Sequence, residues 1–372
     1  MKKILIVVTK GEMGGAQVFV STLAQALHRQ GHHVTIAVGE GEYLKGTLKK
    51  VGIPVLEFKR LRRTKNPLSN ILFTFEMRTF LNLNQFDVVH FNSSNALFGA
   101  IGAHFAYPRP KTVFTVHGLS LLDEHYKASK LVKNAYAYIF GFLLRFIDET
   151  VFVSRTNFEY AKRIGLVQDG TVIYNGIDTE HLHFLAKGPA RAFLENLSQA
   201  DMEGKYIIGS IGRLAYPKNY EFLIEIFPKV IKEIPNAIAV IIGEGPERKK
   251  YERLIERSGL QNNVYLVGEM TDAYRYIKAF DLFVLPSEYE GMSMTLIEAM
   301  FAEVPILASR VGGTPELLEN PRTYILNDKE DFLSKLRVLG EQKEHAYSEI
   351  QRLHRSQFDG NKMATQYEKI YG

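Results

Sequence analysis

The chain has 372 residues, of which 46% are hydrophobic and 23% charged, and its formal net charge is +5. This length and composition are typical of a globular protein with two domains, each able to bury its own core. The chain contains no cysteine, which excludes a disulfide scaffold, a thiol nucleophile and a thiolate zinc site.

The N-terminal sequence MKKILIVVTK has an apolar run that is too short for the core of a signal peptide and predicts a buried first strand. No stretch approaches the roughly 20 apolar residues of a membrane-spanning helix. The nearest one, residues 135–146, predicts either a long core helix or a helix that lies in a membrane interface, where tyrosine, phenylalanine and flanking cations are favoured.

Positive charge is concentrated in the first half of the chain, and its densest patch is KRLRRTK at residues 59–65. A basic surface fits an anionic lipid, a phosphorylated acceptor or a nucleic acid, and a solvated loop is the simpler alternative for this patch. Because no nucleic-acid-reading motif accompanies the patch, we expect no nucleic-acid partner.

Short apolar runs alternate with helical patterns along the whole chain. This alternation predicts βαβ units and parallel sheets, and hence an α/β protein with two doubly wound domains. Residues 181–205 lack a strong apolar period, so we expect the linker there and the second domain from residue 186. The predicted strands are residues 4–8, 34–38, 55–58, 88–91, 113–116, 150–153, 172–174, 206–211, 237–242, 264–267, 282–285 and 305–308.

Ligands bind at the carboxyl ends of the strands in doubly wound sheets, so the loops after strands carry the candidate sites. Gly14 and Gly15 open the first helix, where the backbone could approach a phosphate or a sugar, and a plain tight turn is the alternative. The loop lacks a GxGxxG pattern, which disfavours a nicotinamide cofactor. His117 leaves the strand at 113–116, where it could bind a sugar hydroxyl or a developing oxyanion, or only local backbone.

Two cations, Arg213 and Lys218, follow the predicted strand at 206–211. If they converge, they would neutralise a diphosphate and stabilise the charge that grows on a phosphate leaving group. A solvated turn is the alternative. Gly268 and Met270 follow the strand at 264–267, where backbone groups could meet the edge of a base.

Residues 281–300 combine a buried strand, a polar loop and a helix that Ser293 would cap. Glu290 lies before this helix and Glu298 more than a turn inside it, so the two carboxylates would stand on the order of 10 Å apart. That separation suits a sugar hydroxyl at one end, a ribose at the other, and a diphosphate on the helix amides between them. An ordinary βα unit with two solvated glutamates is the alternative.

Seven motifs of this sequence, taken together and in order, resemble those of glycosyltransferase family 4, the retaining, sugar-nucleotide-dependent enzymes of GT-B fold. They cover most of the chain. The motifs are GEMGGAQ near the N-terminus, VHG at 116–118, IYNGID at 173–178, GRLAYPKN at 212–219, IGEGPER at 242–248, EYEGMSMTLIEAM at 288–300 and VGGTPELL at 311–318.

The resemblance implies two Rossmann-like domains that face each other across a cleft. Residues 1–185 would bind the acceptor, with the C-terminal helix at 357–372 packed back on them, and residues 186–356 would bind the nucleotide-sugar donor. Transfer would retain the anomeric configuration by front-face attack, without a protein nucleophile. No metal is expected, since cations would replace it and no DxD-like motif is present in a suitable loop.

The resemblance also implies roles for single residues. Arg213 and Lys218 match the pair that holds the donor diphosphate, Glu298 the ribose-binding glutamate, Glu290 the glutamate beside the donor sugar, and His117 the histidine near that sugar. The implied catalytic set is His117, Arg213, Lys218 and Glu290. The implied donor-binding set is Gly14, Gly15, Gly212, Arg213, Lys218, Gly268, Met270, Glu290, Gly291, Met292, Ser293, Thr295 and Glu298.

The expected function is the transfer of a hexose or N-acetylhexosamine from a nucleotide diphosphate sugar, with UDP preferred, to a glycan or lipid-linked acceptor. Bacterial cell-envelope polysaccharide synthesis is the preferred setting, in the cytoplasm and peripherally on the inner face of the cytoplasmic membrane. The alternatives are a GT-B sugar-nucleotide epimerase and a non-catalytic GT-B partner subunit.

Overall fold

The computed structural model describes residues 1–64, 66–123, 126, 128–341 and 355–372. The chain forms two compact units, one of Met1–Thr179 with Gln357–Gly372 and the other of Glu180–Ser356. The unit boundary therefore lies at residue 179, compared with the expected residue 185. Each unit is built on one parallel sheet.

The first unit holds a seven-stranded sheet in the order β3-β2-β1-β4-β5-β6-β7. The strand order reverses at β1, which lies between β2 and β4, so this is the topological switch point of the sheet. The strands are β1 (Lys3–Lys10), β2 (His33–Glu40), β3 (Val55–Glu57), β4 (Val88–Phe91), β5 (Lys111–Val116), β6 (Glu149–Phe152) and β7 (Thr171–Val172).

Helices cover both faces of the first sheet. Helices α1, α2 and the C-terminal helix share one core with the sheet, and α3, α4, α5 and α6 share the other. Asn66 caps α3, since its side chain accepts a hydrogen bond from the amide of Leu68, and Pro67 occupies the first turn. The helices are α1 (Gly15–Arg29), α2 (Tyr43–Lys49), α3 (Pro67–Leu83), α4 (Gly99–His104), α5 (Lys130–Leu144), α6 (Arg155–Arg163) and the C-terminal helix (Gly360–Tyr371).

The C-terminal helix packs on the first unit although the whole second unit precedes it in the chain. Its buried side chains join the core that α1 shares with the sheet. Polar contacts fix its C-terminal end: the Lys2 ammonium donates to the carbonyl of Tyr371 over 3.0 Å, and Glu368 lies 3.1 Å from His32. The last residues of the chain are thus part of the first domain.

The second unit holds a six-stranded parallel sheet in the order β10-β9-β8-β11-β12-β13, and its strand order reverses at β8. The strands are β8 (Tyr206–Ile211), β9 (Ala237–Ile242), β10 (Val264–Gly268), β11 (Leu282–Leu285), β12 (Ile306–Ser309) and β13 (Thr323–Tyr324). The helices are α7 (Lys187–Ser198), α8 (Tyr220–Glu233), α9 (Arg248–Arg257), α10 (Met294–Phe301), α11 (Thr314–Leu317) and α12 (Lys329–Glu341).

The predicted α/β class with two doubly wound parallel sheets is confirmed, and the predicted strands of the second half match β8 to β12 within one residue. Two elements differ from expectation. The expected linker contains α7, whose Ala190 and Leu194 are buried, because Pro189 is tolerated in the first turn of a helix. Strand β13, which has two residues, was not predicted.

The apolar stretch at residues 135–146 forms most of α5, which packs in the core through Phe140, Leu143 and Leu144. None of the helices in the described part of the chain has the length and hydropathy needed to cross a membrane. The basic patch at residues 59–64 is largely exposed, and Lys65 lies outside the described residues.

Candidate active site

The loops that follow β8 and β11 meet at the topological switch point of the second sheet, where doubly wound proteins bind their ligands. The two strands are hydrogen-bonded neighbours, and both loops leave their carboxyl ends. The amide of Glu288 donates to the carbonyl of Pro217 over 2.7 Å, which ties one loop to the other. This edge of the sheet therefore brings together side chains that are about 70 residues apart in sequence.

The ammonium of Lys218 lies 2.7 Å from the Oε1 atom of Glu290. The hydroxyl of Ser287 donates to the same oxygen over 2.6 Å. The side chains of Lys218 and Glu290 are only 19% and 11% exposed, so water screens their attraction less than it would at the surface. The structure thus joins two of the predicted catalytic residues in one partly buried ion pair.

The loop after β12 fixes the backbone of Glu290. Gly312 has a φ of +48°, and a Cβ atom there would lie 1.7 Å from the carbonyl oxygen of Glu290, so only glycine fits. The amide of Gly313 donates to that same carbonyl over 3.2 Å. The hydroxyl of Ser309 donates to the carbonyl of Ser287. Residues after three neighbouring strands, β8, β11 and β12, therefore hold Glu290 in place.

Arg213 is exposed, and in the part of the chain that the structure describes its guanidinium has no ion-pair or hydrogen-bond partner. The structure does not bring it into contact with Glu290. Gly212 precedes it, and a Cβ atom at that position would come within 2.8 Å of the Tyr220 hydroxyl and 3.1 Å of the Lys218 side chain. Glycine at 212 therefore leaves the space in which Lys218 reaches its carboxylate.

Helix α10 begins at the same edge with a cap. The hydroxyl of Ser293 accepts a hydrogen bond from the amide of Leu296 over 3.3 Å and lies 3.0 Å from the hydroxyl of Thr295. The predicted cap is confirmed. Gly291 and Met292, which precede it, are buried. The first turn of α10 therefore follows the ion pair directly and carries the positive end of the helix dipole.

Glu298 is 8% exposed on the inner side of α10. Burial, together with the smaller effect of the nearby charge of Asp272, raises the pKa of its carboxyl group to about 8. No described residue donates a hydrogen bond to this carboxyl group. Asp272 follows Gly268 and Met270 in the loop after β10, so this loop lies beside α10. Below pH 8, Glu298 is a protonated acid with unused hydrogen-bonding capacity.

The first unit carries the other predicted residues. His117 follows β5, and its Nε2 atom lies 3.0 Å from the Oδ1 atom of Asn92, the residue that follows β4. Burial lowers the pKa of His117 to about 3, so the ring is neutral. Gly14 and Gly15 lie at the start of α1, after the switch-point strand β1.

Three residues of these clusters were not predicted. Asn92 directly follows the buried strand β4, and Ser287 follows β11 after Pro286, which was the available signal. Asp272 lies four residues after the end of β10. Each contacts or influences a predicted residue rather than forming a motif of its own. The structure therefore adds the groups that orient Glu290 and His117 and the charge that acts on Glu298.

Two family models match the chain: the one described as Glycosyltransferase Family 4 matches residues 13–181, and the one described as Glycosyl transferases group 1 matches residues 195–349. The chain belongs to glycosyltransferase family 4. The predicted family is thereby confirmed, and the protein is a glycosyltransferase.

Two relatives from Escherichia coli resemble the family 4 chain over most of its length. The O-antigen biosynthesis glycosyltransferase WbnH is 26% identical over 341 residues, which cover 90% of this chain and 89% of that protein. The UDP-Gal:alpha-D-GlcNAc-diphosphoundecaprenol alpha-1,3-galactosyltransferase is 26% identical over 306 residues, which cover 79% of this chain and 76% of that protein.

The solved structure of Anabaena HepE in complex with UDP-glucose has a TM-score of 0.81 to the family 4 chain. It is 22% identical in sequence, and the alignment covers 100% of this chain and 99% of that one. The likeness confirms the predicted GT-B fold.

Proposed function

We propose that the protein is a retaining hexosyltransferase that moves a hexose or N-acetylhexosamine from a UDP-sugar to a glycan or lipid-linked acceptor in bacterial cell-envelope polysaccharide synthesis. The observation that carries the proposal is the Lys218–Glu290 pair at the first turn of α10. Two similar proteins support UDP as the nucleotide, since one solved neighbour holds UDP-glucose and one relative is named for UDP-Gal.

The donor diphosphate is the ligand that this sheet edge suits. A diphosphate carries negative charge that a cation and a helix N-terminus both stabilise. Lys218 supplies a cation that is held in one orientation by Glu290, which Ser287 orients in turn. Arg213 supplies an exposed guanidinium with free donors in the described part of the chain. Arg213 would therefore gain its first ion pair when the diphosphate arrives, whereas Lys218 would share its charge between Glu290 and the ligand.

The proposed chemistry uses these cations in the transition state. As the bond between the anomeric carbon and the diphosphate oxygen breaks, negative charge grows on the leaving phosphate, and two fixed cations lower that barrier. The acceptor hydroxyl attacks from the face that the leaving group vacates and gives its proton to a phosphate oxygen. No protein nucleophile takes part, and the anomeric configuration is retained. Glu290 keeps Lys218 directed at the phosphate and lies beside the sugar.

Glu298 is proposed to bind the ribose of the nucleotide. Two neighbouring hydroxyl groups can both donate to one carboxylate, and the carboxyl group of Glu298 has no donor among the described residues. Its hydrogen-bonding needs would then be met by the ligand. The loop with Gly268 and Met270 lies next to this position through Asp272, which suits contact with the base.

The experiment that tests the proposal follows the anomeric carbon. The protein is incubated with UDP-, GDP-, ADP- and TDP-sugars, first alone and then with a polyprenyl-diphosphate-linked sugar acceptor, and products are examined by NMR. We expect transfer from a UDP-sugar with the anomeric configuration preserved. A product of inverted anomeric configuration overturns the retaining mechanism. A preferred nucleotide other than UDP overturns the assignment of the donor. A rearranged sugar formed without acceptor supports an epimerase instead.

Helix α5 presents a second, exposed apolar face. Its buried side packs on the sheet, while Leu131, Tyr138, Ile139 and Phe142 are exposed. With Ala135, which is also exposed, positions 131, 135, 138, 139 and 142 recur at spacings of three and four, so these side chains form one stripe along the helix. A helix that is apolar on its outer face as well as its inner one is suited to a non-aqueous neighbour.

We propose that this stripe rests on the anionic inner face of the cytoplasmic membrane, where lipid-linked acceptors are found. Lys130 and Arg145 are exposed at the two ends of α5, so cations flank the apolar stripe. Aromatic and aliphatic side chains enter the headgroup region, and flanking cations attract anionic lipid. The exposed part of the basic patch, at residues 59–64 before α3, adds positive charge on the same layer of the first unit.

A further inference from the structure

The ring of His117 is enclosed by two elements of the first unit. Strand β4 and the residue after it supply His90 and Asn92, and α1 supplies Phe19, whose ring meets the imidazole edge-on at 4.6 Å. Among the described residues, His90 is the titratable group whose pKa depends on His117, and burial lowers the pKa of His90 to about 3. The imidazole of His117 therefore has no described charge beside it.

The amide of Asn92 has only one orientation that satisfies both of its neighbours. Its Nδ2 atom donates to the carbonyl oxygen of His90 over 3.2 Å, and its Oδ1 atom lies 3.0 Å from Nε2 of His117. The reversed orientation would set two oxygens against each other, because a carbonyl group cannot donate. Oδ1 therefore faces the ring as an acceptor, and Nε2 of His117 must carry the proton.

His90, the residue that supplies this carbonyl, is held in place by its ring. The His90 ring contacts the Tyr371 hydroxyl at 2.8 Å and the Thr115 hydroxyl at 2.7 Å, and Thr115 also contacts the Tyr367 hydroxyl at 2.8 Å. All of these groups are buried. The C-terminal helix thus supplies two of the contacts that keep the Asn92 amide in register with His117.

We propose that Asn92 is a positioning residue that holds His117 as the Nε2–H tautomer, so that its Nδ1 atom accepts a hydrogen bond from a hydroxyl group of the sugar substrate. A neutral imidazole with a proton on Nε2 has a bare lone pair on Nδ1. No described residue donates to that atom. The hydroxyl belongs either to the donor sugar or to the acceptor, and this part rests on the proposed function.

The tautomer is tested without any activity measurement. The full-length protein is labelled with ¹⁵N in its histidine rings, and the His117 signals are assigned by their loss in His117→Gln. We expect the wild-type ring to show a protonated Nε2 and an unprotonated Nδ1 at pH 7. A proton on Nδ1 overturns the proposal, whatever the protein transfers. A correct tautomer in a protein that transfers no sugar would instead count against the proposed function alone.

The role of Nδ1 is tested with Asn92→Asp. A carboxylate still accepts from Nε2 but raises the pKa of the ring, so the imidazole takes up a second proton as the pH falls and Nδ1 can no longer accept. We expect kcat/KM of this variant, divided by that of wild type at the same pH, to fall by tenfold or more between pH 8 and pH 6. Equal pH profiles, in a variant that melts normally, overturn the hydrogen bond to substrate.

Asn92→Leu serves as a second variant, since it removes both hydrogen bonds at similar size. We expect both ring tautomers in its ¹⁵N spectrum and at least a tenfold loss of kcat/KM. A loss confined to the KM of the UDP-sugar assigns the hydroxyl to the donor, and a loss confined to the KM of the acceptor assigns it there. An unchanged single tautomer in Asn92→Leu shows that Asn92 does not set it.

Discussion

The ammonium of Lys218 is 2.7 Å from a carboxylate oxygen of Glu290, and Ser287 donates to that same oxygen. The two charged residues therefore act as one unit. Removing Lys218 leaves a buried carboxylate without its cation, and removing Glu290 leaves the Lys218 ammonium without the carboxylate that orients it. Effects on transfer should be strongly non-additive for this reason.

Lys218→Ala is expected to cut kcat by 10²-fold or more, because a fixed cation beside the leaving phosphate is lost. In the double variant with Glu290→Ala, the fold-decrease in kcat should be far smaller than the product of the two single fold-decreases. Steady-state kinetics on the four forms measure this. Lys229→Ala is the matched control, since Lys229 pairs with Glu330 at the surface of the same unit. A kcat of Lys218→Ala within threefold of wild type contradicts the role.

Arg213→Ala is also expected to cut kcat by 10²-fold or more, but with no change in melting temperature. Its guanidinium is exposed and has no partner among the described residues, so its removal leaves the stability of the ligand-free protein unchanged. Steady-state kinetics measure kcat, and thermal melts with and without UDP measure the melting temperature and the binding of UDP. Arg337→Ala, which breaks an exposed pair with Glu233, is the control. The prediction fails when the variant binds and transfers normally, or when its melting temperature falls with its activity.

UDP should bind more tightly as the pH rises towards 8. Burial raises the pKa of Glu298 to about 8, and a carboxylate accepts hydrogen bonds from hydroxyl groups more strongly than the acid does, so binding favours the ionised form. Below pH 8 the Kd should change by about tenfold per pH unit. Calorimetry in buffers of different ionisation enthalpy should also detect a released proton. A Kd that is constant from pH 6 to pH 8, with no proton release, contradicts ribose binding by this carboxylate.

Glu298→Gln should weaken UDP binding and stabilise the ligand-free protein. The folded pKa of about 8 lies above the ordinary 4.5, so the folded state holds a proton that the unfolded chain releases between these values. Stability contributed by this group is therefore lost as the pH rises through that window. The variant should melt several degrees higher than wild type at pH 8 and show little difference near pH 4.5. The control Glu256→Gln, on the exposed side of α9, should change neither UDP binding nor the melting temperature.

Ile139→Glu should reduce binding to anionic vesicles by tenfold or more, because it places a negative charge in the exposed apolar stripe of α5. Leu197→Glu on α7 is the control, since Leu197 is 47% exposed and Ile139 48%. Vesicle flotation at low and high salt measures the binding, which salt should weaken. If the wild-type protein does not associate with the vesicles at low salt, the membrane proposal is wrong.

The strands and their order of occurrence could be predicted from the sequence because buried parallel strands are short apolar runs between helical patterns. Strand β13 could not, since two residues have no periodicity. Helix α7 was hidden by Gly188 and Pro189 at its start, which resemble a linker in composition. The cap at Ser293 was predictable because its partner lies three residues away.

The orientation of the site residues could not be predicted in the same way. Ser287 and Lys218 meet on Glu290 only because β8 and β11 are neighbours, and Asn92 meets His117 only because β4 and β5 are. The burial of Glu298 was also hidden, since a glutamate in a helix usually faces water. The roles of these residues in donor binding and transfer remain predictions, which the variants above test.

The return of the last helix to the first unit has a consequence for how the protein is made. The groove that Tyr367 and Tyr371 fill belongs to a sheet whose strands are synthesised long before them. On the ribosome this half must wait, with an apolar face uncovered, until residues 360–371 have been synthesised. A stop codon before residue 360 would consequently damage the half of the protein that had been translated first.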